Sequence, residues 1–339
     1  MEGILLNLLG GNDGALLHPS RPPVSLSYLD DRLRYLQANA LDRSTTRGYA
    51  VGARDYLRFC FQHHLPVDPT PLTLARYIAY TSQFIASGPR YLSGVRHYMR
   101  DFFPDYDNIR AHPLVKTAIR GSRKVRADPV RRKLPLRPSH LQAFLQTAIH
   151  SQSYDDLLFI TVLSCAFYAC HRIGELVPAS GSLFDWRKII KRDSLTFSDN
   201  RAQYRLPYHK GDPFFQGSDI LLAPQETADP VLMLKLYTQL RDRKHGARAP
   251  LFLRETGQHP TRAWFERKFF AVMDHSYGGQ SARAGGATFY ANLGISEDVL
   301  QAIGRWSSSA WKLYIRDHPA IRIELQLAAL RYHNFQPLH

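Results

Sequence analysis

The stretch DLLFITVLSCAFYACHRIGEL, residues 156–176, is apolar almost throughout and then closes on two charges, Arg172 and Glu175. A segment that is hydrophobic on every side does not lie on a surface, so it predicts one long helix through the middle of a core. Arg172 and Glu175 stand three residues apart, a spacing at which they can bond to each other on a helix. Such a pair is a common structural device, yet guanidinium is also the best fork for two phosphate oxygens. Both readings stand at this point.

Around this core segment the pattern is mostly helical. SHLQAFLQTAI precedes it as a capped helix, and SLTFSD, AQYRLPYHK and SDILLAP follow it with alternating or β-branched character and turn residues between them. Helical patterns return at DPVLMLKLYTQLRDR, TRAWFERKFFAVM, SARAGGATFYANLG, SEDVLQAIGRW and SSAWKLYIR, and a last amphipathic one runs from Pro319 to about Tyr332. The expected fold class is mostly α with a small antiparallel β-sheet, in a domain spanning residues 138–339. Upstream, residues 1–23 carry GGNDG and SRPP and read as a flexible leader, and residues 24–120 read as four or five short helices in a small all-α domain. In the second of these helices Tyr49, Ala53, Tyr56, Leu57 and Cys60 share one face, and Ser44 or Thr45 is placed to cap its start. Residues 121–137 contain Pro129 and Pro135 and no apolar periodicity, which predicts an extended basic linker.

The chain has 339 residues, 44% apolar and 22% charged, and 44 Lys and Arg against 29 Asp and Glu give a net charge of +15. That is enough chain for two domains and enough excess charge to attract polyanions, of which nucleic acid is the commonest; a membrane surface is the competing partner. The bases cluster. Arg43, Arg47, Arg54 and Arg58 sit on one predicted helix and Arg90, Arg96, His97 and Arg100 on another, while Arg120, Arg123, Lys124, Arg126, Arg131, Arg132, Lys133 and Arg137 surround the single acid Asp128. A solvated tether or a nuclear-localisation run is one reading of the last group. A tether between two basic domains also suits a phosphate backbone, because each neutralised phosphate releases counterions.

No run of eighteen apolar residues is present, so no membrane span is expected, and ILLNLLGG lacks the basic lead-in and cleavage site of a signal peptide. The three cysteines, Cys60, Cys165 and Cys170, are too few and too irregular for a disulfide framework. Cys165, Cys170 and His171 lie close together without a second ligand pair, so buried thiols are expected rather than a zinc site.

Beyond Arg172 and Glu175, three further places hold polar groups that packing explains poorly. In YRLPYHKGDPFFQG, Lys210 sits at the tip of an expected β-hairpin. In QSARAGGATFYANLG, Arg283 lies at a helix start beside Gly285 and Gly286, which permit close backbone approach at a cost in helix stability. In GRWSSSAWKLYIR, residues 304–316, Tyr314 is flanked by Lys312 and Arg316 and follows Arg305 and Trp306.

Taken in order, these residues resemble the tyrosine recombinase and integrase family, over about residues 24 to 335. The family pattern is an arginine with an acid three residues on, a hairpin lysine, a His-x-x-Arg box, and a Gly-His or Gly-Trp whose second residue lies nine before a nucleophilic tyrosine. Arg172 and Glu175, Lys210, Arg283, and Arg305 with Tyr314 match it in turn. HKGDPFFQG, ARAGGAT and GRWSSSAWKLYIR are similar to the versions in eukaryotic mobile elements of the DIRS and Crypton type and in related fungal recombinases. Two positions depart from the pattern. The box reads Gln280-Ser281-Ala282-Arg283, and glutamine donates a hydrogen bond but carries no proton. The histidine or tryptophan position is Arg305, followed by Trp306 as a possible buttress.

The resemblance implies a helical core-binding domain followed by a catalytic domain, and metal-independent cleavage and rejoining of DNA through a 3′-phosphotyrosyl intermediate, with no cofactor. It assigns Tyr314 as nucleophile, Arg172, Arg283 and Arg305 as the phosphate clamp, Lys210 as general acid, Glu175 as orienting group and Gln280 as a phosphate hydrogen-bond donor. It implies a double-stranded DNA site, a homodimer on it, and a homotetramer joined through the C-terminal helix, whose stripe is Ile321, Leu325 and Ala328. Packing of that stripe within its own domain is the alternative. A nuclear location follows if the element is eukaryotic. Three rivals remain: a type IB topoisomerase with the same chemistry, a DNA-binding protein that has lost catalysis at Gln280, and a basic scaffold for RNA.

Overall fold

A computed structural model describes residues 22–129, 132–179, 181 and 184–306. The chain divides after Asp128 into two compact units. The expected leader up to residue 21, the SSAWKLYIR helix with Tyr314, and the final amphipathic helix lie outside the described residues.

Among the described residues the first unit has six helices: α1 (Leu26–Asn39), α2 (Arg43–Gln62), α3 (Pro71–Thr81), α4 (Gly88–Met99), α5 (Tyr106–Ala111) and α6 (Pro113–Arg126). Tyr56, Phe59 and Cys60 of α2 meet Leu74, Tyr77 and Ile78 of α3, Leu92 and Val95 of α4, Tyr106 and Val115 in one core. Each buried phenol has a partner: Tyr56 donates to Val67 O at 3.2 Å, Tyr77 to Asp55 at 2.7 Å and Tyr106 to Leu92 O at 2.9 Å. The cap of α2 is Asp42, not Ser44 or Thr45; its carboxylate accepts from the Ser44 N–H at 3.0 Å. A carboxylate at the helix start also suits the positive end of the helix dipole.

The basic stretch expected to be extended from residue 121 continues as α6 to Arg126. Val115, Ala118, Ile119 and Ser122 recur at helical spacing, and the first proline after Pro113 is Pro129, so nothing stops the helix earlier. Ala127, in the left-handed conformation, ends it, and residues 127–129 and 132–137 belong to no helix or strand.

The second unit contains α7 (Pro138–Ser151), α8 (Tyr154–Tyr168), the short α9 (Ile173–Leu176), strands β1 (Thr196–Ser198), β2 (Arg201–Leu206) and β3 (Ser218–Leu222), then α10 (Pro230–His245), α11 (Arg262–Phe269), α12 (Ser281–Asn292) and α13 (Glu297–Gly304). The strands form an antiparallel sheet in the order β1-β2-β3, with Ala202 opposite Leu222 and Tyr204 opposite Ile220. Along β2, Ala202, Tyr204 and Leu206 are buried while Arg201, Gln203 and Arg205 are exposed, so one face covers the core. Helix α8 is buried from Leu158 to Tyr168 and packs against α7, α10 and α12. The predicted helix through 156–176 therefore exists only as far as Tyr168.

The break has a defined cause. Cys170 adopts φ 47°, and the His171 N–H donates to Ala166 O at 2.9 Å while the Cys170 N–H donates to Phe167 O at 3.1 Å. This is a Schellman C-cap with cysteine where glycine is usual. A left-handed non-glycine residue costs about 1–2 kcal/mol, which other bonds must offset.

Candidate active site

Those bonds come from a tyrosine and two arginines. The end of α8 presents its last carbonyls as the negative pole of the helix dipole. Tyr290 donates to Tyr168 O at 2.8 Å, Arg305 Nη1 to Ala169 O at 3.2 Å, and Arg283 Nη1 to Cys170 O. Helix α13 ends in the same way a short distance off. Arg305 has φ 54°, its N–H donates to Ala302 O at 3.1 Å, and the Trp306 N–H donates to Gln301 O at 3.1 Å. Arg283 Nη2 donates to Gly304 O at 2.5 Å, so one guanidinium ties the two helix ends together. The Trp306 ring lies 4.4 Å from that guanidinium and folds over Gly304.

Helix α12 reaches this position because Gly285 and Gly286 carry no side chain. A Cβ on Gly286 would lie 1.9 Å from Phe167 O, and one on Gly285 would lie 2.4 Å from Leu136 O. Arg283, one turn earlier than Gly286, is thereby carried fully into the interior.

Glu175 is the acceptor at the centre. Its carboxylate takes hydrogen bonds from the Arg172 N–H at 3.2 Å, Arg172 Nη1 at 3.1 Å and Arg305 Nη2 at 3.1 Å, and it lies 2.9 Å from His171 Nδ1. Burial opposes its charge, but the hydrogen bond with His171 and the cations Arg305 and Arg283 prevail, and its pKa lies well below the usual carboxylate range. Burial and the like charge of Arg172 lower the Arg283 pKa to about 10, so it stays cationic at neutral pH. Three guanidinium groups around one carboxylate leave the cluster positive. Two buried donors in it, Nε of Arg283 and Nε of Arg305, have no acceptor among the described residues.

Arg172, Glu175, Arg283, Arg305 and Trp306 thus come together. Of the three arginines, Arg172 is the most open, its side chain 30% exposed against 10% for Arg305, while Arg283 is buried outright. Lys210 is exposed in the turn between β2 and β3, directly after His209, whose pKa is lowered by burial and by Arg305. Gln280 caps the start of α12, one turn before Arg283, with its side chain exposed and making no capping bond.

Two participants were missed in the sequence, His171 and Tyr204. His171 is fully buried, with Nε2 2.6 Å from the Tyr204 hydroxyl. Its only sequence signal is a polar ring closing an apolar run immediately before Arg172, and Tyr204 shows only as an aromatic on the buried face of a strand. With both ring nitrogens engaged, His171 does not gather Cys165 and Cys170 into a metal site; all three cysteines are buried and free.

Of the bases assigned to DNA, Arg43, Arg47, Arg54, Arg90, Arg123, Lys124, Arg132 and Lys133 are exposed. Arg96 is held in a bidentate pair with Asp107, both bonds 2.6 Å, and Arg126 bonds Asp128 and Ser82 O. Lys133 donates to His275 O. Arg131 lies outside the described residues. No helix among the described residues is long and apolar enough to cross a membrane.

No protein-family model matches the chain, and no curated protein matches it by sequence. Solved structures do match. The XerH site-specific recombinase, in a post-cleavage complex with palindromic difH substrate, is similar over 84% of this chain and 79% of that one, with a TM-score of 0.55 and 14% identity. A lambda integrase dimer bound to a COC′ core site is similar over 86% of this chain and 95% of that one, with a TM-score of 0.50 and 15% identity. The mostly helical chain with its three-stranded antiparallel sheet therefore has the tyrosine recombinase fold.

Proposed function

We propose that the chain is a site-specific DNA recombinase that breaks and rejoins duplex DNA through Tyr314, of the kind carried by eukaryotic mobile elements of the DIRS and Crypton type or by related fungal elements. The observation that carries this reading is that Arg172 and Arg305 bond the single carboxylate of Glu175 with the Arg283 cation beside them, and that two buried guanidinium N–H donors, Nε of Arg283 and of Arg305, have no acceptor among the described residues. Such a cluster suits an anion that gains charge during reaction. The fold, shared with recombinases solved on their DNA sites, supports duplex DNA as the partner.

In the proposed step the Tyr314 oxygen, its phenolic proton released to water, attacks a phosphodiester phosphorus and the P–O5′ bond breaks. Lys210 protonates the departing 5′ oxygen, leaving DNA joined to the tyrosine by its 3′ phosphate. Rejoining is the reverse, with the 5′ hydroxyl as nucleophile. Arg172, the most open arginine, meets the phosphate first; Arg283 and Arg305 contribute field from behind it, and Gln280 donates a hydrogen bond to it. Exposed bases on α2, α4 and α6 follow the DNA backbone. A dimer on the site, a tetramer in the synapse through the C-terminal helix, and a nuclear location complete the proposal.

The test uses nicked duplexes bearing element-end sequences, one set with ordinary phosphate and one with sulfur replacing the bridging 5′ oxygen. Wild-type protein is expected to form a covalent protein–DNA band on both. Lys210→Ala is expected to lose it on the oxygen-linked DNA and keep it on the sulfur-linked DNA, where the leaving group needs no proton. Tight duplex binding with no band on either would favour a catalytically silent binding protein, the reading to which Gln280 and the full burial of Arg283 lend weight.

A further inference from the structure

His171 and Tyr204 lie outside the recombinase pattern, yet they contact its centre. His171 Nδ1 meets an acceptor, Glu175 Oε2 at 2.9 Å, and a donor, Arg305 Nη2 at 3.1 Å, which itself donates to the same Oε2. The shorter contact, to a carboxylate that only accepts, assigns the proton to Nδ1. Nε2 is then bare and accepts the Tyr204 hydroxyl at 2.6 Å. The two rings lie nearly parallel, 16° apart, with centroids 5.9 Å apart. Burial and the neighbouring Arg305 lower the His171 pKa to about 4, so the ring is neutral at physiological pH. A hydrogen-bonded line therefore runs from strand β2 to Glu175, and from Glu175 to Arg172 on one side and Arg305 on the other.

Arg305 is part of this line rather than of the open face. Nη1 donates to Ala169 O at 3.2 Å and Ile303 O at 3.1 Å, and Nη2 donates to Glu175. Moving it to a phosphate would remove a cap from the end of α8 and a cation from a buried carboxylate.

We propose that His171 and Tyr204 are positioning residues: through the bond between Nδ1–H and Glu175 they fix the carboxylate that locks Arg305 in place and aims Arg172 at the substrate phosphate. The proposal rests on the recombinase reading for its consequence in catalysis, and on the network alone for its geometry. The His171 contact is the shortest that Glu175 makes; without it Oε2 keeps only the Arg172 N–H at 3.2 Å and Arg305 Nη2 at 3.1 Å, and the carboxylate is held less closely. A displacement of the phosphate-binding group of about 1 Å costs on the order of 10²-fold in rate.

Two measurements on the full chain test it. In the first, Tyr204→Phe, His171→Asn and the double variant are compared in single-turnover adduct formation on sulfur-linked duplex, with duplex affinity and thermal unfolding measured alongside. The expected result is an adduct rate lower by about 10²-fold in each variant, affinity unchanged, and a double variant no slower than His171→Asn alone, because the two residues act as one unit. A merely structural role would instead lower the unfolding temperature and combine multiplicatively. Folded variants that cleave within about two-fold of wild type would overturn the proposal. In the second, long-range nitrogen–proton NMR of histidine-labelled protein reads the tautomer, with His171 assigned by its loss in His171→Asn. A neutral Nδ1–H ring is expected near neutral pH; an imidazolium or an Nε2–H ring would overturn the network. If wild-type protein forms no adduct but the ring is neutral Nδ1–H, the recombinase reading has failed and the network stands.

Discussion

Tyr314→Phe is expected to abolish the covalent protein–DNA adduct, and Arg172→Ala to slow its formation by about 10²–10³-fold, with duplex affinity retained in both. The tyrosine change removes the oxygen proposed to join the phosphate. In the proposed mechanism the arginine change removes a preorganised cation facing the charge that develops on the non-bridging oxygens, and the loss of one such donor carries about that penalty. Arg172 is the informative position among the three arginines because its guanidinium is the most open and bonds Glu175 only through Oε1. With alanine there, the residue 172 N–H still donates to Glu175, and His171 and Arg305 still engage the carboxylate. Arg283→Ala would confuse the two effects. It leaves the carbonyls of Cys170 and Gly304 buried without that donor, each at a cost of about 1–3 kcal/mol. Equal losses of binding and cleavage in Arg172→Ala would contradict the assignment.

Gly286→Ala is expected to destabilise the second unit by about 3 kcal/mol or more, seen as a lower denaturant midpoint for that unit. Alanine is the better helix former by about 1 kcal/mol, so propensity alone predicts the opposite sign. Contact decides it. The new Cβ would sit 1.9 Å from Phe167 O and 3.0 Å from Cys170 Sγ, and a backbone carbonyl already held in a helix cap cannot swing aside. Helices α8 and α12 would have to part, taking Arg283 out of reach of Cys170 O. Gly174→Ala is the control: a Cβ there meets nothing within 4 Å, and its effect on stability is expected within about 0.5 kcal/mol. A Gly286→Ala protein as stable as wild type would show that the two helices do not pack as described.

The residues that the sequence marked out and the structure assembles are Arg172, Glu175, Arg283 and Arg305, four charges with little local structural reason to exist. Their legibility came from chemistry at fixed spacing. What stayed hidden is conformational. The stop at the end of α8 carries cysteine, and the stop at the end of α13 carries arginine, each in a left-handed conformation that a glycine would have advertised. Both stops exist because distant arginines satisfy the carbonyls they expose, and no local pattern records a tertiary hydrogen bond. His171 was hidden for a related reason, since its partner Tyr204 is 33 positions away. The misreading of α6 was of another kind. Its dense charge drew attention from the Val115, Ala118, Ile119 and Ser122 stripe, although charge on a helix's outer face is compatible with burial of the inner one. The alternation in β2 was plain because side-chain burial there follows a period of two without interruption.

The most direct test of the central claim is to form the adduct on sulfur-linked duplex, digest protein and DNA, and locate the modified residue by mass spectrometry. A peptide carrying a nucleotide through its 3′ phosphate on Tyr314 is the predicted result. A nucleotide on any other residue, or duplex bound tightly with no modified peptide at all, would contradict it.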